Sequence, residues 1–164
     1  MKDLTQRLWE QQDRHPGDRL RLFADVPGVN EIIARHRPTP SDWRFIGADY
    51  TTDLDVADEA AGLLVSLYAG FISEHCTRYL RSGRWLLVNP SHGDVAMASI
   101  SSEYRLGAVV NARSGRYTVT VRRLEDYLIP KKATTITREM LHERGRGIAY
   151  TKSPLAYLFQ RSAS

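Results

Sequence analysis

Residues 55–88 read DVADEAAGLLVSLYAGFISEHCTRYLRSGRWLLV, a long apolar run that stops at Ser82-Gly83 and resumes as the strand-like Arg84-Trp85-Leu86-Leu87-Val88. Ala57, Ala61, Leu64, Tyr68, Phe71, His75 and Tyr79 recur at steps of three and four, the spacing of one helical face. Ala60, Leu63, Leu67 and Ile72 widen that face, so the pattern predicts a long buried central helix. Asp53, Asp55, Asp58 and Glu59 fall at its expected N-terminus and Arg78 and Arg81 at its C-terminus. A helix dipole favours that distribution by about 0.3–1 kcal/mol per charge, so the acidic cluster needs no ligand.

Beyond Gly83 the pattern changes to strands, expected at Arg84–Asn89, Val95–Ser101, Arg105–Asn111 and Tyr117–Arg123. Pro90-Ser91-His92-Gly93 and Ala112-Arg113-Ser114-Gly115 supply turns. Tyr117, Val119 and Val121 alternate with Thr118, Thr120 and Arg122, the period of a sheet with one buried and one wet face. The expected fold is therefore α+β: the long central helix packed on a four-stranded antiparallel meander, with helical N- and C-terminal layers. The outer layers comprise helices at Leu4–Arg14 and Val29–His36, a helix at Arg138–Arg144, a Gly145-Arg146-Gly147 break, and a last helix with Ser153 as N-cap and Pro154 at its first position. Leu4, Leu8 and Trp9 form the narrow apolar stripe of a helix resting on a larger core.

The 164 residues suit one domain, divided as an α+β core over residues 1–130 and a basic helical segment over residues 131–164 packed on it. Charge supports the division: the first 130 residues carry 16 basic and 17 acidic side chains, the last 34 carry 7 and 2. That excess places the candidate partner-binding residues at Lys131, Lys132, Arg138, Arg144, Arg146 and Lys152, with Tyr150 and Tyr157 as stacking surfaces.

Common chemistries are missing. His15, His36, His75, His92 and His142 include no pair four apart, so no metal site or cofactor is expected, and Glu139 with His142 forms a lone Glu-x-x-His that reads as a polar helix face. Ser91-His92-Gly93-Asp94 holds the residue types of a hydrolytic triad, yet neighbouring side chains diverge. His75 reads as a core histidine and Cys76 as a small buried hydrophobe. No phosphate loop or dinucleotide fingerprint occurs. One cysteine cannot form an internal bridge, residues 1–7 lack an apolar stretch so that no secretory leader is expected, and Ala60–Ile72 is shorter than the roughly 18 residues of a membrane span. A cytoplasmic location away from the membrane is expected.

Ala69-Gly70-Phe71-Ile72-Ser73-Glu74, followed by Ser82-Gly83-Arg84-Trp85, resembles the helix-then-strand signature of small uncharacterised bacterial α+β domains, some associated with toxin-immunity loci. Glu74 and Gly83 to Trp85 match that signature, whereas Ala69 and Ser73 replace two of its glycines. The resemblance implies a helix close-packed on a sheet whose first strand carries the tryptophan, and no catalytic residues; on physical grounds Gly83 is expected to permit the left-handed helix end that turns the chain into the sheet. The leading expectation is a non-enzymatic protein that binds a macromolecular partner, most simply another protein, in an immunity-type or regulatory role. The alternative is nucleic-acid binding through the basic segment, and a third reading is an enzyme using His92 and Asp94 with Arg84 or Arg105 as an anion clamp.

Overall fold

The computed structural model describes residues 46–163 together with Glu31 and Arg35. The chain divides into two compact units, Met1–Leu54 and Asp55–Ser164. The helix expected at Leu4–Arg14 lies outside the described residues; within the one expected at Val29–His36, Glu31 and Arg35 are helical and ion-paired four residues apart. Asp49 organises a turn, its Oδ1 accepting the Thr51 amide at 2.9 Å and the Thr51 hydroxyl at 2.8 Å.

The second unit is built on a mixed five-stranded sheet in the order β1-β2-β5-β3-β4. Strand β1 spans Ala61–Ser66, and β2, Leu80–Val88, runs parallel to it with Leu64 beside Leu86 and Ser66 beside Val88. A parallel pair needs a crossover. Here it consists of the four-residue helix α1, Ile72–His75, and a 3-10 turn, Thr77–Tyr79. Helix α2, Asp94–Ile100, then leads to β3, Tyr104–Arg113, which forms a hairpin with β4, Arg116–Thr120. Ser114 and Gly115 both have positive φ, 50° and 76°, as a two-residue hairpin turn matched to strand twist requires. The chain returns through a 3-10 turn, Leu124–Leu128, and helix α3, Arg138–Arg144, to β5, Ala156–Arg161. Strand β5 enters the sheet between β2 and β3, antiparallel to both.

This architecture corrects the expected fold in four places. The long central helix does not form. Residues 61–66 are a strand, only Ile72–His75 of the stretch is α-helical, and positive φ at Glu59 (55°) and Tyr68 (56°) breaks the backbone on either side of β1. Pairing with β2 outweighs the helical spacing, because a short apolar run such as Leu63-Leu64-Val65 satisfies both periods. The four-stranded meander is replaced by a mixed sheet whose only chain-adjacent pairs are β1 with β2 and β3 with β4. Val95–Ser101 is not a strand: Asp94–Ile100 is helix α2, with Val95, Ala96, Met97 and Ala98 all buried. The helix expected after Ser153 is instead β5. Its Tyr157 and Phe159 are fully buried, and their rings stack at 6.4 Å.

Helix α3 occupies Arg138–Arg144 as expected, with the Thr137 hydroxyl accepting the Met140 amide at 3.2 Å and Gly145 closing the helix in the left-handed region. Gly83 has φ +73° but lies inside β2 rather than at a helix end, and Trp85 sits on the second strand of the sheet. Beside a register shift in β3, Gly107 leaves room for the Trp85 ring, which would lie 2.6 Å from a Cβ there. Leu80, Leu86, Val88, Val95, Val109 and Leu141 complete the core between sheet and helices. The stripe expected to be the buried face of the last hairpin strand is exposed: Tyr117, Val119 and Val121 retain 70, 64 and 64% of their surface.

Because β5 supplies the sheet centre, Phe159→Ala is expected to lower the unfolding free energy by about 3–5 kcal/mol in urea titration. Leu155→Ala, at an exposed position just before the strand, should change it by less than about 0.5 kcal/mol.

Candidate anion-binding cleft

Two extended segments meet where the chain leaves the 3-10 turn and where it leaves α3. Pro130 bridges Tyr150, the Lys131 amide donates to the Ala149 carbonyl at 2.8 Å, and the Thr151 amide donates to the Ile129 carbonyl at 2.8 Å. This pairing brings residues 130–134 alongside residues 144–149. The second segment is also pinned from below. Its Gly147 amide donates to the Ser91 carbonyl at 3.2 Å, and a Cβ at Gly147 would fall 2.1 Å from the Pro90 carbonyl oxygen, so only glycine fits.

Between the segments lies a cleft of about 390 Å³, lined by Lys131, Lys132, Thr134, Arg144 and Arg146 with Pro130 and Gly147 to Ala149. No acidic residue is among its lining. A neighbouring hollow of about 320 Å³ shares Arg146 to Ala149 and extends to Ser91 and Ser153. The structure thus gathers four of the six expected partner-binding cations at one place. The other two are engaged elsewhere: Arg138 donates to Glu74 Oε1 at 2.7 Å, and Lys152 donates to Asp126 Oδ2 at 2.7 Å while lying 5.1 Å over the Tyr127 ring. Lys152 and Arg123 hold the Asp126 carboxyl below its ordinary range, chiefly through the Lys152 hydrogen bond.

The two tyrosines expected to stack on bases cannot do so. Tyr150 and Tyr157 are core side chains, 2 and 0% exposed, and burial pushes the Tyr150 phenol up to about 12. The Tyr157 hydroxyl donates inward to the Tyr127 carbonyl at 3.2 Å. Glu74 is a second centre of charge that sequence patterns did not reveal. Its carboxylate, 11% exposed, receives Arg138 and lies 2.9 Å from His142 Nε2, while the His142 ring meets Phe71 edge-on at 4.7 Å. Glu74 therefore ties α1 to α3. The Glu139–His142 pairing read as a polar helix face thus has His142 turned to α1.

The side chains of the enzyme reading do not converge. Asp94 is 1% exposed and faces inward, its Oδ2 accepting the Ser66 hydroxyl at 2.5 Å and its Oδ1 accepting the Ser73 hydroxyl at 2.5 Å and amide at 2.9 Å. His92 Nδ1 lies 2.8 Å from Ser91 Oγ. The Ser91 hydroxyl donates to Asn89 Oδ1 at 2.8 Å, an oxygen identified as such because it also accepts the Tyr68 amide at 3.1 Å. With its proton committed to an amide oxygen, Ser91 accepts from the imidazole and is not activated by it. Of the proposed anion clamp, Arg105 donates to Gln160 on the adjacent strand, and Arg84 is exposed on β2.

No group of three or more metal-ligating side chains occurs among the described residues. Of the acidic cluster, Asp58 pairs with Arg78 at 3.5 Å, and Glu59 lies 3.3 Å from both Ser82 Oγ and Arg161 Nη1. His75 is half-buried, 3.7 Å from Glu74 Oε2. Cys76 is buried and unbridged, its thiol pushed up by burial and then by the nearby Asp94 charge.

Burial raises the Asp94 carboxyl above its ordinary value of 3.8, against the opposing pull of the Ser66 and Ser73 hydrogen bonds. As pH rises, the unfolded chain releases this proton first. The stabilising contribution is therefore full below that ordinary value and is lost as pH passes through the raised native one. Urea titrations over a pH series should show the wild type losing stability relative to Asp94→Asn across that window, whereas parallel curves would mean an unperturbed carboxyl. Comparison with protein-family models, curated proteins and solved structures finds no match for this chain.

Proposed function

We propose that this is a cytoplasmic, non-enzymatic binding protein that holds an acidic protein partner in the cleft between residues 130–134 and 144–149, in an immunity-type or regulatory role. The observation that carries the reading is the convergence of Lys131, Lys132, Arg144 and Arg146 on one cleft without an acidic side chain in its lining. None of the four makes an ion pair with a described residue. Four like charges held close together by backbone pairing repel one another, and an anionic partner relieves that repulsion. Pro130, Ile148 and Ala149 add apolar floor, which suits a protein segment carrying both carboxylates and aliphatic groups. The immunity-type role rests on the likeness of residues 69–74 and 82–85 to small bacterial domains, some of them associated with toxin-immunity loci. No described helix is long and apolar enough to cross a membrane.

Nucleic-acid binding is the second reading, favoured by the same cations. It has less support because no exposed aromatic side chain lines the cleft, which leaves phosphate contacts without base stacking.

Paired baits separate the readings: the wild type and a Lys131→Glu/Arg144→Glu/Arg146→Glu variant, each incubated in nuclease-treated and untreated host lysate. A stoichiometric protein retained after nuclease treatment and lost by the variant is the expected result. Equal recovery by both baits would remove the cleft from the account. Nuclease-sensitive recovery would favour nucleic acid, and binding to a defined duplex should then fall with a log–log salt slope of about −3 to −4 if all four cations neutralise phosphates.

A further inference from the structure

Strand β4 is the edge of the described sheet and pairs only with β3. Arg113 and Arg116 flank the two-residue Ser114-Gly115 turn, and in such a hairpin the flanking pair exchanges both ladder hydrogen bonds. Pairs then alternate, so Thr118 and Thr120 bond back to β3. The amide and carbonyl groups of Tyr117 and Val119 point away from it.

The residues whose backbone groups face outward are also those with exposed apolar side chains: Tyr117 is 70% and Val119 64% exposed. Edge strands in soluble proteins are ordinarily blunted by charge or proline, or covered. Here charge flanks the apolar stripe without interrupting it. Residues 111–123 contain four arginines and no acidic residue. Arg123 pairs with Asp126 at 2.9 Å; Arg113, Arg116 and Arg122 make no ion pair with a described residue.

We propose that β4 is a second docking site, distinct from the basic cleft, where an extended peptide segment with alternating apolar residues and acidic flanks adds to the sheet as a sixth strand. The outward donors and acceptors alternate along the edge as a strand partner's do, a pattern that a nucleic-acid backbone does not match. Charge selects among strands. A second copy of β4 paired antiparallel about Val119 would bring Arg116 of one chain towards Arg122 of the other, a like-charge approach, whereas acidic flanks complement both ends. Tyr117 and Val119 provide the alternating side-chain contacts.

The test uses a random peptide library displayed on phage and panned against the full chain. Enriched peptides should alternate β-branched or aromatic residues with polar ones and carry Asp or Glu at their flanks. A synthetic representative should bind Val119→Pro roughly tenfold more weakly than the wild type, because proline there removes an outward donor without touching the β3 ladder. Val119→Glu keeps the backbone donor at an exposed position and should weaken the same peptide through charge, which provides a second readout if the proline variant fails to fold. Absence of enrichment, enrichment without the alternating acidic-flanked pattern, or equal affinity for the wild type and Val119→Glu would overturn the proposal. So would wild-type dimers in sedimentation that Val119→Glu disperses, since the occupant would then be a second copy.

Discussion

Strand β5 is the constraint on which the rest of the described fold depends. It lies between β2 and β3 and satisfies backbone groups of both, with Phe159 beside Leu86 on one side and Leu106 on the other. Without it β2 and β3 would each lose a ladder partner, and the fully buried Tyr157 and Phe159 would leave the sheet centre. The chain must therefore return from the outer edge at β4 to the sheet centre, and the return segment forms the cleft. Lys131 pairs with Ala149 and Gly147 presses on Pro90 because β5 has to be delivered to its slot. The basic excess of the C-terminal segment is thereby fixed in space.

A second restraint lies within the helical layer. Asp94 opens α2 and binds Ser66 at the end of β1 and Ser73 in α1, so one carboxyl joins three elements. The Ser73 carbonyl in turn accepts the Thr77 hydroxyl at 2.6 Å, and Thr77 lies 2.7 Å from the Tyr104 hydroxyl on β3. Burial pushes the Tyr104 phenol up to about 12. This chain of hydrogen bonds explains why polar residues with a catalytic look are buried: they hold the crossover against the sheet. Glu74 works beside them, joining α1 to α3 and so orienting the helix whose last residues reach the cleft.

The sequence was legible where local chemistry decides structure. Gly145 ends α3 where a break was expected, Ser114-Gly115 closes a hairpin, and Arg84 to Val88 form a strand. It was misleading where pairing across the sheet decides. Leu63 to Ser66 fit a helical face as well as a strand, and nothing local announces the positive φ at Glu59 and Tyr68. Ser153-Pro154 has the form of a helix start, yet the aromatic run that follows fills the sheet centre. Charge segregation identified the basic segment. Which four cations meet could not be read, because it depends on long-range backbone pairing at Lys131 and Gly147. Tyr117, Val119 and Val121 carried a true strand signal, but edge position leaves their face uncovered.

The insertion of β5 is tested most directly by cross-strand nuclear Overhauser contacts in the isotope-labelled protein. The backbone of Phe159 should show contacts to both Leu86 and Leu106, with none directly between those two strands. Contacts joining Leu86 to Leu106, with residues 156–161 helical or without sheet partners, would contradict the account and return the basic segment to the status of an appended tail.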